Sequence, residues 1–147
     1  MKSIFDVSDN DELLRRINTL NEKSTAQWGK MTIYQMLKHC TLWEEMITGE
    51  KKFKRMLLGM IFGRMALNRM LRDDRPMPQN APTVPGFAVR DDGDIQTEKA
   101  KWINYAKRHL DFSNDSFVHP FFGRMSKGEL GQLAYKHTDH HLRQFNC

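Results

Sequence analysis

Apolar residues recur at helical spacing along most of the chain. Leu13, Leu14, Ile17 and Leu20 form one stripe. Ser8-Asp-Asn-Asp11 ahead of them offers an N-cap and acidic first-turn residues, which predicts a helix from Ser8 to about Lys23. After a loop over Ser24–Lys30, Thr32-Ile-Tyr-Gln35 is a capping box that opens a second helix. Ile33, Met36, Leu37, Cys40, Trp43 and Ile47 make its inner face, and it ends near Gly49. Asp94 caps a further helix, with Ile95, Trp102, Ile103, Ala106, His109 and Leu110 turned inwards. Ser126-Lys-Gly-Glu129 is a second capping box and launches the last helix, whose stripe is Leu130, Leu133, Ala134, His137, His141 and Phe145. No stretch alternates with period two. The predicted fold is all-α, with four main amphipathic helices and one extra apolar helical segment in a single domain over residues 1–147.

The extra segment, Phe53 to Leu71, departs from the amphipathic pattern. Met56-Leu-Leu-Gly-Met-Ile-Phe-Gly63 is continuously apolar, and Met65, Ala66, Leu67, Met70 and Leu71 follow. A membrane span needs about 20 apolar residues, and Arg64, Asn68 and Arg69 interrupt this run. The expectation is therefore a helix, or two short ones, buried on most sides. A flexible Met-rich wall or dimer contact at Met56–Leu71 is a second reading. A membrane-surface helix beside the neighbouring lysines is a third. Asp73–Gly93 then forms a long connection in which Pro76, Pro78, Pro82 and Pro85 preclude regular helix. Phe112–Arg124 is a second irregular stretch.

Composition narrows the class. Hydrophobic residues make up 39% of the chain and charged ones 28%, as in an ordinary globular protein. The net charge of +5 is spread over many helix faces, with one dense cluster at Lys51, Lys52, Lys54 and Arg55, so no specific nucleic-acid function is indicated. Cys40 and Cys147 do not suggest a disulfide framework, and the first residues carry no signal-like apolar run; a cytoplasmic setting is expected.

The chemistry lies in the histidines. His137 and His141 stand one turn apart in the middle of the last helix's apolar stripe. Two His at i and i+4 can both point a ring nitrogen at one divalent ion. They can equally serve as core imidazoles that donate to backbone carbonyls. His140 falls off the stripe, towards a helix boundary or solvent, and Asp139 lies on the face opposite His141, unsuited to the same ion. Gln144, one turn beyond His141, is placed for a contact behind a ligand. A third ligand could come from His39 or from His109, each on or beside the inner face of its helix. His119, before Pro120 and two Phe, is expected to anchor its loop. Glu44 and Glu45 are the nearest carboxylates to His39 in sequence and the candidates for a general base, though surface solvation suits them as well. Cys40 reads as a small core residue.

Two motifs carry a family resemblance. Met36-Leu-Lys-His-Cys40, with His137-Thr-Asp-His-His141-Leu-Arg-Gln144, resembles the pattern of the DinB/YfiT-like superfamily of bacterial four-helix-bundle proteins. Trp28-Gly-Lys-Met-Thr32, His119-Pro-Phe-Phe-Gly-Arg124 and Leu142-Arg-Gln-Phe145 are further similar to a branch known only as a domain of unknown function. The resemblance implies a four-helix bundle and a divalent metal, Zn, Ni or Fe, held by His39, His137 and His141 with a coordination position left open. It also implies a small-molecule substrate, thiol-dependent transfer or hydrolysis with a low-molecular-weight thiol, and a homodimer. The usual Arg-Gly-Gln after the second late His is Leu142-Arg143-Gln144 here, which leaves the arginine without an assigned role. The alternative is a non-catalytic helical module that binds a ligand or dimerises through Met56–Leu71.

Overall fold

A computed structural model describes residues 1–81, 83–113 and 117–147; Pro82, one of the residues expected to break helix in the long connection, lies outside the described residues. The chain is mostly helical, in the order α1 (Val7–Thr19), α2 (Ile33–Ile47), α3 (Leu57–Met70), α4 (Ile95–Arg108), a single 3-10 turn (His109–Asp111), β1 (Val118–His119), β2 (Gly123–Arg124) and α5 (Lys127–Gln144). The short antiparallel pair β1–β2, with Val118 opposite Arg124 and His119 opposite Gly123, has no counterpart in the sequence pattern. Two residues per strand are too few to show alternation, and the tight return at Gly123 needs its φ of +84°.

The helix starts follow from local chemistry. Both capping boxes form, at Thr32 with Gln35 and at Ser126 with Glu129. Asp94 accepts from Thr97 N at the head of α4. The cap of α1 is Asp6 rather than Ser8, because the Asp6 carboxylate accepts from the backbone N–H groups of both Ser8 and Asp9. That helix ends at Thr19, short of Lys23, where Leu20 turns to an extended conformation.

α5 is the central element. From Leu130 to Leu142 only Gln132 is not buried, so even its polar positions are enclosed. Leu13 and Ile17 of α1, Met36, Leu37, Cys40 and Ile47 of α2, Trp102 and Ala106 of α4, and Leu130, Leu133 and Leu142 of α5 share one core. In α4 the inner face is carried by Trp102, Tyr105 and Ala106, while Leu110, expected inside, is exposed where the helix tightens into the 3-10 turn.

α3 corrects the largest expectation. It is one helix, but it is not buried on most sides: only Gly59, Gly63 and Leu67 face inwards. Gly59 and Gly63 rest on the backbone of Phe121 and Phe122, so closely that a Cβ at either position would fall 2.4 or 2.1 Å from the Phe121 carbonyl oxygen. Helix seats on backbone, and the large apolar side chains point away. The far end of α3 is tied to α5 by Lys136, whose ammonium donates to the carbonyls of Met70, Asp73 and Arg75. That is why a lysine can be buried in the middle of a helix. No helix among the described residues is long and apolar enough to cross a membrane.

Candidate metal centre

α2 and α5 bring three imidazoles together. His39 Nε2 lies 3.0 Å from His137 Nε2, and one ring nitrogen from each of His39, His137 and His141 falls within 4.8 Å of the others. All three residues are buried. Burial, the largest cause, drives the His39 pKa below the ordinary imidazole value and those of His137 and His141 well below it. The neighbouring histidines add to this for His137 and His141. Each ring is therefore held neutral, the form that binds metals.

Backbone and amide partners fix the tautomers. Phe87 O lies 3.0 Å from His39 Nδ1. A carbonyl can only accept, so Nδ1 carries the proton and Nε2 is left with its lone pair. At His141, Gln144 does the same. The Gln144 amide nitrogen donates to Trp28 O at 2.9 Å, which turns its oxygen towards His141 Nδ1, also at 2.9 Å. His141 Nδ1 is thereby the protonated nitrogen, and Nε2 again is bare. Trp43 stacks on His137 with ring centroids 4.3 Å apart and planes at 20°, which fixes that ring in turn.

Two of the three donors have the spacing of neighbouring ligands on one divalent ion. Two imidazole nitrogens each about 2.0–2.1 Å from one ion lie roughly 2.9–3.4 Å apart at octahedral to tetrahedral angles, and His39 and His137 stand at 3.0 Å. A hydrogen-bonded acceptor behind each ligating imidazole is the usual arrangement of a histidine metal site, and two of the three rings have it.

The three rings form part of the wall of a cavity of about 450 Å³. Trp28, Met31, Trp43, Met70, Met77, Val84, Phe87 and Phe122 give it an apolar lining, while Lys30, Asn80, His119, His140 and Gln144 supply polar groups. No carboxylate lines it among the described residues. His119 anchors its turn, since its Nδ1 accepts from the N–H groups of both Phe121 and Phe122. It is also enclosed by the cavity's aromatic wall, 5.2 Å from Trp43, and its pKa is pushed down to about 3 by burial and by the charge of Arg55.

Several expectations are corrected here. His140 does not face solvent: it is buried beside His141 and Trp28 and lines the cavity. A helical wheel places it off the stripe, but α5 is enclosed on almost every side. Glu44 is not solvated at the surface. It is buried, with Oε2 3.1 Å from His109 Nε2 but not in good hydrogen-bond geometry, and neither residue lines the cavity. His109 and Glu44 thus lie outside both the three-imidazole cluster and the cavity wall. Glu45 pairs with Lys101 instead. Asp139 is bound by Arg16 and Arg143, which gives Arg143 a packing partner on the side of α5 away from His141. Cys40 is the small core residue expected of it: it is buried, and burial raises its thiol pKa well above the ordinary value.

Among known protein families, the model described as Protein of unknown function (DUF1569) matches residues 2–147. No curated protein and no solved structure matches the chain.

Proposed function

For a chain that belongs to the DUF1569 family of proteins of unknown function, we propose a divalent-metal-dependent enzyme acting on a small molecule. His39, His137 and His141 are the protein ligands and at least one coordination position is open. The observation that carries this reading is the pair of fixed tautomers: Phe87 O and Gln144 Oε1 each hold a proton on the far nitrogen, so that bare nitrogens converge from two helices. The same helical scaffold and ligand positions suit a DinB-like four-helix bundle, which supports placing the family in that superfamily.

Bound there, Zn, Ni or Fe would act as a Lewis acid and lower the pKa of a coordinated water or thiol towards neutrality. The chain supplies the rest. The aromatic and Met-rich walls exclude water and take an apolar portion of the substrate. Lys30 brings a positive charge to the same wall. With no carboxylate in the lining among the described residues, His140, packed on His141, offers a neutral imidazole at the same wall, its pKa lowered by burial. This fits thiol transfer or hydrolysis with a low-molecular-weight thiol or water as nucleophile.

The test is elemental analysis of protein purified without a His-tag, beside His137→Ala. Near-stoichiometric divalent metal that is lost in the variant, with helical content retained, is expected. Metal-free protein whose thermal stability is unmoved by added Zn²⁺ or Ni²⁺ would reduce the site to a buried polar network.

A further inference from the structure

We infer that α3 docks the protein onto an anionic lipid surface, lying flat with its outer face among the headgroups. The proposal stands apart from the metal centre and rests on α3 and its flanks. Leu57, Leu58, Met60, Ile61, Phe62 and Met65 are from 48% to 79% exposed. Leu57, Leu58, Ile61 and Met65 lie on the side away from Gly59, Gly63 and Leu67, with Met60 and Phe62 on its two flanks. Exposed Arg64, Asn68 and Arg69 share the same outer face, which gives it the mixed apolar and basic character of an interfacial helix. The seat on the Phe121–Phe122 backbone leaves them nowhere to turn inwards.

Charge selects the occupant. No Asp or Glu occurs from Lys51 to Arg72; Lys51, Lys52 and Lys54 precede the helix and Arg69 stands in its last turn, all exposed, while Arg72 just beyond is paired with Asp73. The apolar face is thus preceded by a basic cluster and carries Arg64 and Arg69 along a helix about 21 Å long. A second copy laid on this face would set a segment without a single Asp or Glu from Lys51 to Arg72 against itself, which like-charge repulsion opposes. Anionic headgroups complement the lysine cluster and the arginines of the outer face while the acyl boundary takes its apolar side chains.

The experiment is co-sedimentation of the full chain with phosphatidylcholine vesicles, with and without phosphatidylglycerol. Pelleting is expected only with the anionic vesicles, weakened by salt. Ile61→Glu, at a position open to solvent, should abolish it with the melting temperature unchanged. The double variant Lys52→Glu/Lys54→Glu should weaken it at least tenfold, which gives an independent readout if Ile61→Glu perturbs folding. Failure to pellet with anionic vesicles overturns the proposal, as does binding that Ile61→Glu leaves intact. A vesicle-free dimer that Ile61→Glu dissociates would assign the face to a second copy and overturn it too.

Discussion

The side-chain amide of Gln144 spans His141 and the carbonyl of Trp28, 2.9 Å on either side. Gly29, at φ +78°, passes so close that a Cβ there would sit 2.8 Å from the same amide nitrogen, so loop and helix fit around one group. Gln144→Leu keeps the volume but frees His141 Nδ1 from its acceptor. Metal affinity measured by chelator competition should fall roughly 10- to 100-fold, with the far-ultraviolet circular dichroism retained. The Gln144 position follows from a three-residue step along one helix, as the His137–His141 pair does from four, and such relations are legible in sequence. His39 is different. Its partner stands 98 residues away, spacing leaves it level with His109, and only the family resemblance distinguishes them. The burial of Glu44 escapes sequence reasoning for the same reason, because the residue that encloses it lies on a different helix end.

Among the elements, α3 shows how an apolar run misleads. Hydropathy reports that a segment is apolar, not that neighbours exist to cover it, and the informative residues are the two glycines at i and i+4. Alanine at an exposed helix position gains about 1 kcal/mol over glycine from propensity. At Gly63 the new Cβ would fall 2.1 Å from Phe121 O, a backbone atom that cannot rotate aside. Overpacking of this kind costs about 1–3 kcal/mol or more, so Gly63→Ala should destabilise, read as a lowered denaturant midpoint. A rise in the midpoint would mean that α3 is not seated on the hairpin. The starts of α2, α4 and α5 are legible because capping residues act locally; the 118–124 hairpin is not, since its two short strands carry no periodicity.

For the molecule as a whole, five histidines buried around one cavity impose an acid limit. His39, His119, His137, His140 and His141 all have pKa values lowered by burial, His119 to about 3. The unfolded chain takes up these protons near pH 6.5 and the folded one only at lower pH. The contribution of neutral burial is complete above about pH 6.5 and is lost as pH falls through the folded values, with the His119 part gone near pH 3. A ring that binds its proton tenfold more weakly when folded than when unfolded contributes about 1.4 kcal/mol to this loss. Denaturant titrations of chelator-treated protein should therefore show stability falling by several kcal/mol, summed over the rings, between about pH 6.5 and 4. A flat profile would mean that the rings are already open to water.

The hydrogen bond from His39 to Phe87 O has a thermodynamic corollary. Phe87 belongs to the long connection between α3 and α4, and its ring stacks on Phe53 at 4.2 Å, just ahead of α3. One carbonyl thus belongs both to the loop and to the orientation of a clustered imidazole. If an ion fills the three-imidazole site as proposed, seating the loop and filling the site are coupled equilibria, and whatever free energy the ion lends to the seated loop, the seated loop returns to the ion.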